Sequence, residues 1–374
     1  MSIQQKFNLT RIINTRGTFT PLGVSRSSHK VSSAVAEALS SYFIIDELQD
    51  VASEVIASFA HSEAGTVTHC TAAGITLSVA ATMAGSIPEH IASLPDSTGM
   101  PNAVVIPAGH CVNYGHPLEQ AIRLAGAKPI LAGTQQLCTL EDIAQQISTK
   151  ETCCLLLVSS KLVQGSSVDL TKAVEIAHKY DVPTIIDGAA QDFRIEELVN
   201  TNADLILVSA QKYLASPTAG LVIGRRNLVN AVRAQEKGIG PGMKATKESI
   251  IGVLAAIEER KGLDVLEWQY SQVQKVSDFI ERTNTYTGVE ARAESDTTGL
   301  PFSRVKLSIN SEKAPLDAKE LVDQLRVGEP SIWVMDQNVE RGELILELVQ
   351  VESDEIDSIL ARLSSLLDQN HGVA

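Results

Sequence analysis

Short apolar runs alternate with amphipathic helical stretches from about residue 50 to residue 225, and this alternation constrains the fold most. Several predicted strands contain continuously apolar runs, such as 153–158 and 205–208, which are typical of strands that are covered on both faces. Alternating strands and helices need crossover connections, so the pattern predicts an α/β domain with a largely parallel sheet. The predicted strands are 103–107, 128–132, 153–159, 183–187, 204–209 and 220–223, and the helices between them include 117–125, 140–146 and 170–180.

The pattern changes after Gly242. A long helix is predicted over about 246–261, and later segments alternate between strand and helix. The strands expected there are 304–309, 332–335 and 343–348, with helices at 318–325 and 353–367. We therefore predict an N-terminal segment over 1–45 that packs near the active site, a large α/β domain over 46–245, and a smaller α+β domain over 246–374.

Charge and composition exclude several classes of protein. Among 374 residues, 31 Lys and Arg stand against 45 Asp and Glu, a net charge of −14, which argues against a dedicated nucleic-acid binder. No run reaches the roughly 18 apolar residues of a membrane span, and the start lacks the apolar core of a signal peptide. The five cysteines are scattered without metal-ligand spacing. We expect a reduced, cytoplasmic protein without a metal site or membrane anchor.

Three polar or small-residue features follow strands of the predicted sheet or begin a helix. Asp187 ends one apolar strand, and the next ends in Ser209 with Lys212 close behind. Since neighbouring parallel strands end at the same edge, both side chains should emerge where open α/β sheets bind ligands. The third feature is the small-residue turn at 71–76, which begins a helix. The N–H groups and dipole of such a helix start suit a phosphate group.

An acid, a lysine and a phosphate cradle together suit pyridoxal 5'-phosphate (PLP). Lys212 would form the Schiff base, and Asp187 would keep the pyridine nitrogen protonated. Each feature alone has a plainer explanation: a capping Asp, a surface Lys, or tight helix packing. Their joint order favours the cofactor. The other predicted cofactor-binding residues are Thr71, Ala72, Ala73 and Ser209 at the phosphate, Ala189 beneath the flat ring, and His110 stacked on its other face.

The chain also carries motifs of a known family over nearly its whole length. They are 13–23 (INTRGTFTPLG), 67–68 with 72–74, 187–190, 209–212 with 219–221, 238–248 and 328–332. With them the chain resembles fold type I PLP enzymes, in the branch that contains bacterial selenocysteine synthase and D-glucosaminate-6-phosphate ammonia-lyase. The resemblance implies the same roles for Lys212, Asp187 and His110. It also implies that the N-terminal segment returns to the active site, which is completed across the interface of a homodimer or larger homo-oligomer.

Some positions depart from the family pattern. Pro241 and the pair Val334–Met335 stand where arginines are expected, and Cys111 stands where a basic residue is common. Arginine binds phosphate and carboxylate groups bidentately, so the substrate is not the phosphorylated sugar acid or is held differently. Arg16, Thr20 and Lys161 are the substrate-binding candidates.

The predicted function is a PLP-dependent lyase that acts on a small amino acid or similar amine. It would remove the Cα proton and eliminate a β substituent, as an ammonia-lyase does. Racemase, aldolase or aminotransferase chemistry begins with the same steps and stays open as an alternative. Selenium transfer to a tRNA and a non-catalytic binding role are less favoured, because the chain is acidic and keeps both Asp187 and Lys212.

Overall fold

The structure, a computed structural model, describes residues 2–147 and 150–368. The chain forms two compact units: one comprises residues 27–262, and the other combines the segment through Arg26 with residues from Leu263 onward. Each unit contains its own hydrophobic cluster or clusters. The sequence placed the division at 245/246, whereas the compact units divide at 262/263 and assign residues 27–45 to the larger one.

The helices and strands follow one another along the described residues in this order. The α-helices are α1 (Ile3–Phe7), α2 (His29–Leu39), α3 (Ile45–Ala60), α4 (Thr71–Ala84), α5 (Pro88–Ser93), α6 (Leu118–Leu124), α7 (Leu140–Ile147), α8 (Leu170–Lys179), α9 (Ile195–Val199), α10 (Arg226–Ala234), α11 (Lys247–Lys261), α12 (Val265–Thr283), α13 (Ala318–Val327) and α14 (Ser353–Leu367). The strands are β1 (Ile12–Asn14), β2 (Ala64–Thr68), β3 (Ala103–Pro107), β4 (Lys128–Ala132), β5 (Thr152–Val158), β6 (Thr184–Asp187), β7 (Leu205–Ser209), β8 (Gly220–Gly224), β9 (Val289–Ser295), β10 (Ser303–Ile309), β11 (Ser331–Trp333) and β12 (Glu343–Leu346).

The larger unit is built around a sheet that contains seven strands within the described residues. Their order is β2-β8-β7-β6-β5-β3-β4, and all neighbours from β7 to β4 run parallel. Strand β8 is antiparallel to both β2 and β7. The predicted α/β architecture with a mostly parallel sheet is confirmed, and the sequence missed only β2 among these strands.

Both faces of this sheet are buried by helices, which explains the continuous apolar runs. Along β5, Leu155 and Leu157 belong to one buried cluster, whereas Cys154 and Leu156 belong to the other. All seven residues of β5 are buried. A strand of this kind has no solvent-facing side, so polar alternation disappears from its sequence.

Helix α11 belongs to the larger unit because its apolar residues join the core of that unit. Ile250, Val253 and Ile257 lie in the same buried cluster as residues of β5 to β8. The change of pattern at Gly242 therefore marks the approach to this last helix of the larger unit, and the division follows the helix.

The smaller unit contains an antiparallel sheet with the order β12-β10-β9 and a parallel pair of strands, β1 and β11. Ile13 of β1 is fully buried in the cluster that α12, α13 and α14 form with these strands. Arg304 of β10 is also buried and pairs with Asp296 at 2.6 Å and with Glu347 at 2.8 Å. The predicted α+β character of this region is thus present, and the N-terminal strand is part of it.

Among the residues described, no helix combines the length and the apolar character that crossing a membrane requires.

Candidate active site

The carboxyl ends of the parallel strands collect the predicted site residues of the larger unit at one edge of the sheet. Strand β6 ends at Asp187 and its neighbour β7 ends at Ser209. On the other side of β6, strand β5 leads towards Lys161, and β3 leads into a short 3-10 helix that ends at His110. Because these strands are adjacent and parallel, their different loops line one edge, as the sequence predicted.

Asp187 and Lys212 lie within electrostatic reach of each other at this edge. Asp187 is 5% exposed, and its Oδ1 accepts a hydrogen bond from Ala189 N–H at 3.0 Å. Burial raises the pKa of Asp187, while the Lys212 ammonium and the Ala189 N–H act in the opposite direction. Burial lowers the pKa of Lys212, and the two carboxylates of Asp187 and Asp192 oppose that shift. The site therefore holds an acid and an amine in an environment that favours their neutral forms.

The start of helix α4 forms a cradle for an anion beside strand β8. The N-cap residue, Cys70, gives no side-chain hydrogen bond to the helix, so the first N–H groups of α4 lack that partner. Gly220 lies against this turn, since a Cβ there would come within 2.7 Å of the Thr71 nitrogen. Gly220 is also the register partner of Ser209 across β7 and β8. The geometry thus brings Ser209 to the helix start.

Two buried hydroxyl groups near this cradle have no hydrogen-bond partner in the described structure. They are Thr71 Oγ1 and Ser209 Oγ. A buried polar atom without a partner is costly unless a bound group satisfies it. Two such hydroxyls beside a free helix N-terminus fit the phosphate of PLP, and neighbouring Asp187 and Lys212 fit its pyridine nitrogen and aldehyde.

His110 is buried and its ring is fixed by the backbone of β5. Val158 N–H donates a hydrogen bond to His110 Nδ1 at 2.9 Å, so the proton of the neutral imidazole resides on Nε2. Burial lowers the pKa of His110 to about 4. The ring is therefore neutral and held in one orientation, which suits stacking against a flat cofactor.

The remaining predicted residues are distributed over both units. Ala189 is half-buried in the loop after Asp187, and Lys161 is exposed and close enough to Lys212 to lower its pKa. Arg16 and Thr20 lie in the smaller unit. There the Arg16 guanidinium pairs with Asp336 at 2.9 Å and covers the Phe19 ring at 4.3 Å.

Sequence reasoning missed residues that the structure brings close to the site. The Tyr114 hydroxyl has its pKa raised by burial and by the charges of Asp187 and Cys70, which places it near both. Asp192 and Arg260 form a buried ion pair at 3.0 Å beside Lys212. The position of Asp192, five residues after Asp187, was an available signal, whereas Tyr114 and Arg260 come from segments with no motif.

Comparisons with known proteins identify the family of the chain. The family model described as aminotransferase class-V matches residues 102–249. D-glucosaminate-6-phosphate ammonia lyase of Salmonella typhimurium (strain 14028s / SGSC 2262) is 31% identical over 368 residues, which cover 98% of each chain. The chain belongs to this ammonia-lyase family. Its members share the fold type I architecture and PLP, so the predicted family, PLP cofactor and PLP-dependent enzyme are confirmed.

Two further relatives show how broad the resemblance is. A solved structure titled as that of D-glucosaminate-6-phosphate ammonia-lyase matches 98% of each chain with a TM-score of 0.88 and 31% identity. A Streptomyces sp. protein named 5'-C-glycyluridine monooxygenase-decarboxylase is 30% identical over 373 residues, covering 99% of this chain and 93% of that one. The chain is thus similar over nearly its whole length to relatives whose names state different reactions.

Proposed function

We propose that the protein is a PLP-dependent lyase that removes the Cα proton of a small amino-acid-like substrate and expels a β substituent such as an amine. The observation that carries the proposal is the grouping of Lys212, Asp187 and the open helix start of α4 at one sheet edge. The ammonia-lyase relative, with its 31% identity over almost the whole chain, supports the reaction class.

The chain's own groups divide the work as follows. PLP, when bound, withdraws electrons from the Cα bonds of an amino substrate. Lys212 would hold the cofactor through Nζ, and the same amine would accept the Cα proton of the substrate. Asp187 would hold a proton on the pyridine nitrogen. Ser209, Thr71 and the N–H groups of Thr71, Ala72 and Ala73 would hold the phosphate.

His110 and Ala189 define the space for the cofactor ring. His110 is neutral and fixed by Val158 N–H, so it can stack on the ring without adding a positive charge beside the pyridine. Ala189 has a small side chain in the loop after Asp187, and this leaves room for the ring to lie flat.

Substrate binding is assigned to Lys161 in the larger unit, and a substrate role for Arg16 and Thr20 of the other unit stays a prediction from the sequence. Lys161 is exposed and lies beyond the end of β5, and its charge lowers the pKa of Lys212. Its ammonium would attract the carboxylate of an amino acid. Since Pro241 and the pair Val334–Met335 stand where two arginines are expected, we propose that the substrate is not the phosphorylated sugar acid or is held differently.

We further propose that the enzyme works as a cytoplasmic homodimer or larger homo-oligomer. The segment between α2 and α3 exposes the apolar side chains of Tyr42 and Ile44, and the first residue of α3, Ile45, is exposed beside them. Contiguous exposed apolar residues are typical of a protein interface. All five cysteines lie in the described part of the chain and are free thiols, which fits a reducing compartment. Sedimentation of wild-type protein and of Tyr42→Ser/Ile44→Ser tests the assembly, and a monomeric wild type would refute it.

Substrate screening tests the function. Purified protein is mixed with D- and L-amino acids, including phosphorylated and hydroxylated ones, and products are identified by mass. Ammonia release together with an oxo acid supports the lyase. Scrambled stereochemistry without net loss would indicate a racemase, and carbon dioxide release would indicate a decarboxylase. Either result would replace our proposal.

Two lysine variants separate cofactor binding from substrate binding. Lys212→Ala should lose the visible absorbance band that PLP acquires on a lysine. Lys161→Ala should keep that band and show a raised KM for an amino-acid substrate. Unchanged absorbance in Lys212→Ala would refute the assigned role of Lys212.

A further inference from the structure

Two loops of the larger unit lie side by side at the active-site edge. The first follows β6 and the second follows β7. Ser209 N–H donates to the Ala189 carbonyl at 3.0 Å, and the Phe193 and Tyr213 rings lie 6.3 Å apart. In the sequence, Lys212 therefore lies between Ser209 and Tyr213, and both of these residues contact the loop that follows β6. Asp192 lies on that opposite loop, between the same two contacts.

Asp192 is a buried carboxylate: one oxygen accepts a hydrogen bond, and the other has no hydrogen-bond partner in the described structure. Its side chain has no exposed area, and Oδ2 accepts a hydrogen bond from Arg260 at 3.0 Å. Oδ1 is buried and has no hydrogen-bond partner in the described structure. A buried carboxylate oxygen retains a strong need for a donor.

Arg260 holds this arrangement in place from helix α11. Besides Asp192, it donates to the Tyr213 carbonyl at 2.7 Å and lies over the Phe193 ring at 3.9 Å. It therefore ties the residue after Lys212 to the residue after Asp192. A side chain with these contacts holds the two loops together immediately after the lysine.

We propose that Asp192, held by Arg260, is a second carboxylate partner of the Lys212 amine and stabilises its protonated form. Asp187 is left to serve the pyridine nitrogen. The inference rests on the proposed role of Lys212 as the group that accepts the Cα proton. When the C–H electron pair stays on carbon and the proton moves to Nζ, the new ammonium lies within electrostatic reach of this carboxylate.

The charged groups that face these two residues are few among the described residues. The charges of Asp187, Asp192 and Lys161 act on the pKa of Lys212. The charges of Arg260 and Lys212 act on the pKa of Asp192. Burial raises the pKa of Asp192 to about 6, while Arg260 and Lys212 oppose the rise. The carboxylate is therefore mostly ionised at pH 7.

The rate at which Lys212 captures PLP tests the proposal without using turnover. The full chain is freed of PLP and mixed with it at a series of pH values, and the visible band is followed in time. Asp192→Asn removes an opposite charge, so the Lys212 ammonium should lose its proton at a lower pH, by about 1 unit or more. Above the pKa of Asp192, about 6, and below that of Lys212, capture should be about tenfold faster than in wild type.

Three further variants make the result interpretable. Asp192→Ser repeats the test with a smaller side chain if the amide does not fit, and Asp192→Glu should restore a profile close to wild type. Asp204→Asn is the matched control, because Asp204 is buried, pairs with Arg225 at 2.8 Å and precedes β7 at the opposite edge of the sheet. It should leave the profile unchanged.

Two results would overturn the proposal: wild-type profiles in both Asp192→Asn and Asp192→Ser, or an equal shift in Asp204→Asn. Lys212→Ala is measured in parallel. If it still forms the visible band, the role of Lys212 itself fails, and this outcome is distinguishable from a failure at Asp192.

Discussion

Replacing Gly220 by alanine tests how closely strand β8 must approach the start of helix α4. A Cβ at this position would lie 2.5 Å from the carbonyl carbon of Cys70 and 2.7 Å from both the Cys70 oxygen and the Thr71 nitrogen. Optimal separations between non-bonded carbon atoms are about 3.5–4.0 Å. All three atoms belong to the backbone, so the strand and the helix start must separate by about 1 Å.

This displacement affects stability and cofactor binding together. Overpacking of a buried site costs about 1–3 kcal/mol, which should lower the melting temperature by several degrees. The same movement takes Ser209, the register partner of Gly220, away from the helix start. Losing one hydrogen bond to a charged phosphate costs about 1.5–3 kcal/mol. Affinity for PLP should therefore fall about 10- to 150-fold.

Titration of the PLP-free protein with PLP, followed by absorbance, measures the affinity, and thermal unfolding measures the stability. Gly74→Ala is the matched control, since its Cβ would meet nothing closer than Thr68 Oγ1 at 3.4 Å and alanine favours a helix by up to about 1 kcal/mol. That variant should bind PLP like wild type. Wild-type affinity and melting temperature in Gly220→Ala would refute the cradle described here.

Three more variants test separate parts of the structure. Ser209→Ala removes a buried hydroxyl without a partner, so unfolding of the PLP-free protein should change by less than about 1 kcal/mol, while titration should show about tenfold weaker PLP binding. The pKa of His110 falls to about 4 on burial, so the unfolded chain binds more protons between pH 6.5 and 4. The free energy of unfolding should therefore fall as the pH falls through this window, by up to about 3 kcal/mol. Urea unfolding should show this component missing in His110→Gln. Arg304→Met removes the guanidinium that pairs with the buried Asp296 and Glu347 and should cost about 3–5 kcal/mol, whereas Arg282→Met at an exposed pair should cost less than about 1 kcal/mol.

The sheet of the larger unit was predictable because burial on both faces leaves a distinct pattern. The continuous apolar run at β5 and the acid that ends β6 indicate the positions of these strands from the sequence pattern alone. Strand β2 was missed although all five of its residues are buried. Its sequence, AGTVT, has a single strongly apolar residue, and small residues leave no hydrophobic signal. Strand β9, VEARAES, was missed because most of its residues are not buried.

Some residues of the site could be predicted from nearby sequence patterns, whereas others depend on contacts between residues far apart in the sequence. Asp187, Ser209 and Lys212 follow strands that the sequence marks, so their meeting could be inferred. Arg260 reaches Asp192 across 68 residues of sequence, and no spacing rule connects them. The compact units divide at 262/263, after helix α11, whose sequence carries no sign that it packs on the earlier part of the chain.

Strand β1 has a consequence for the order in which the protein can be completed during synthesis. Its parallel partner is β11, and Thr15 donates through its hydroxyl to the Trp333 carbonyl, 318 residues later. The ribosome releases the first strand long before its partner exists, while the entire larger unit is made in between. A growing chain can therefore bury the core of the larger unit early, whereas β1 must wait, unpaired, until β11 has been translated.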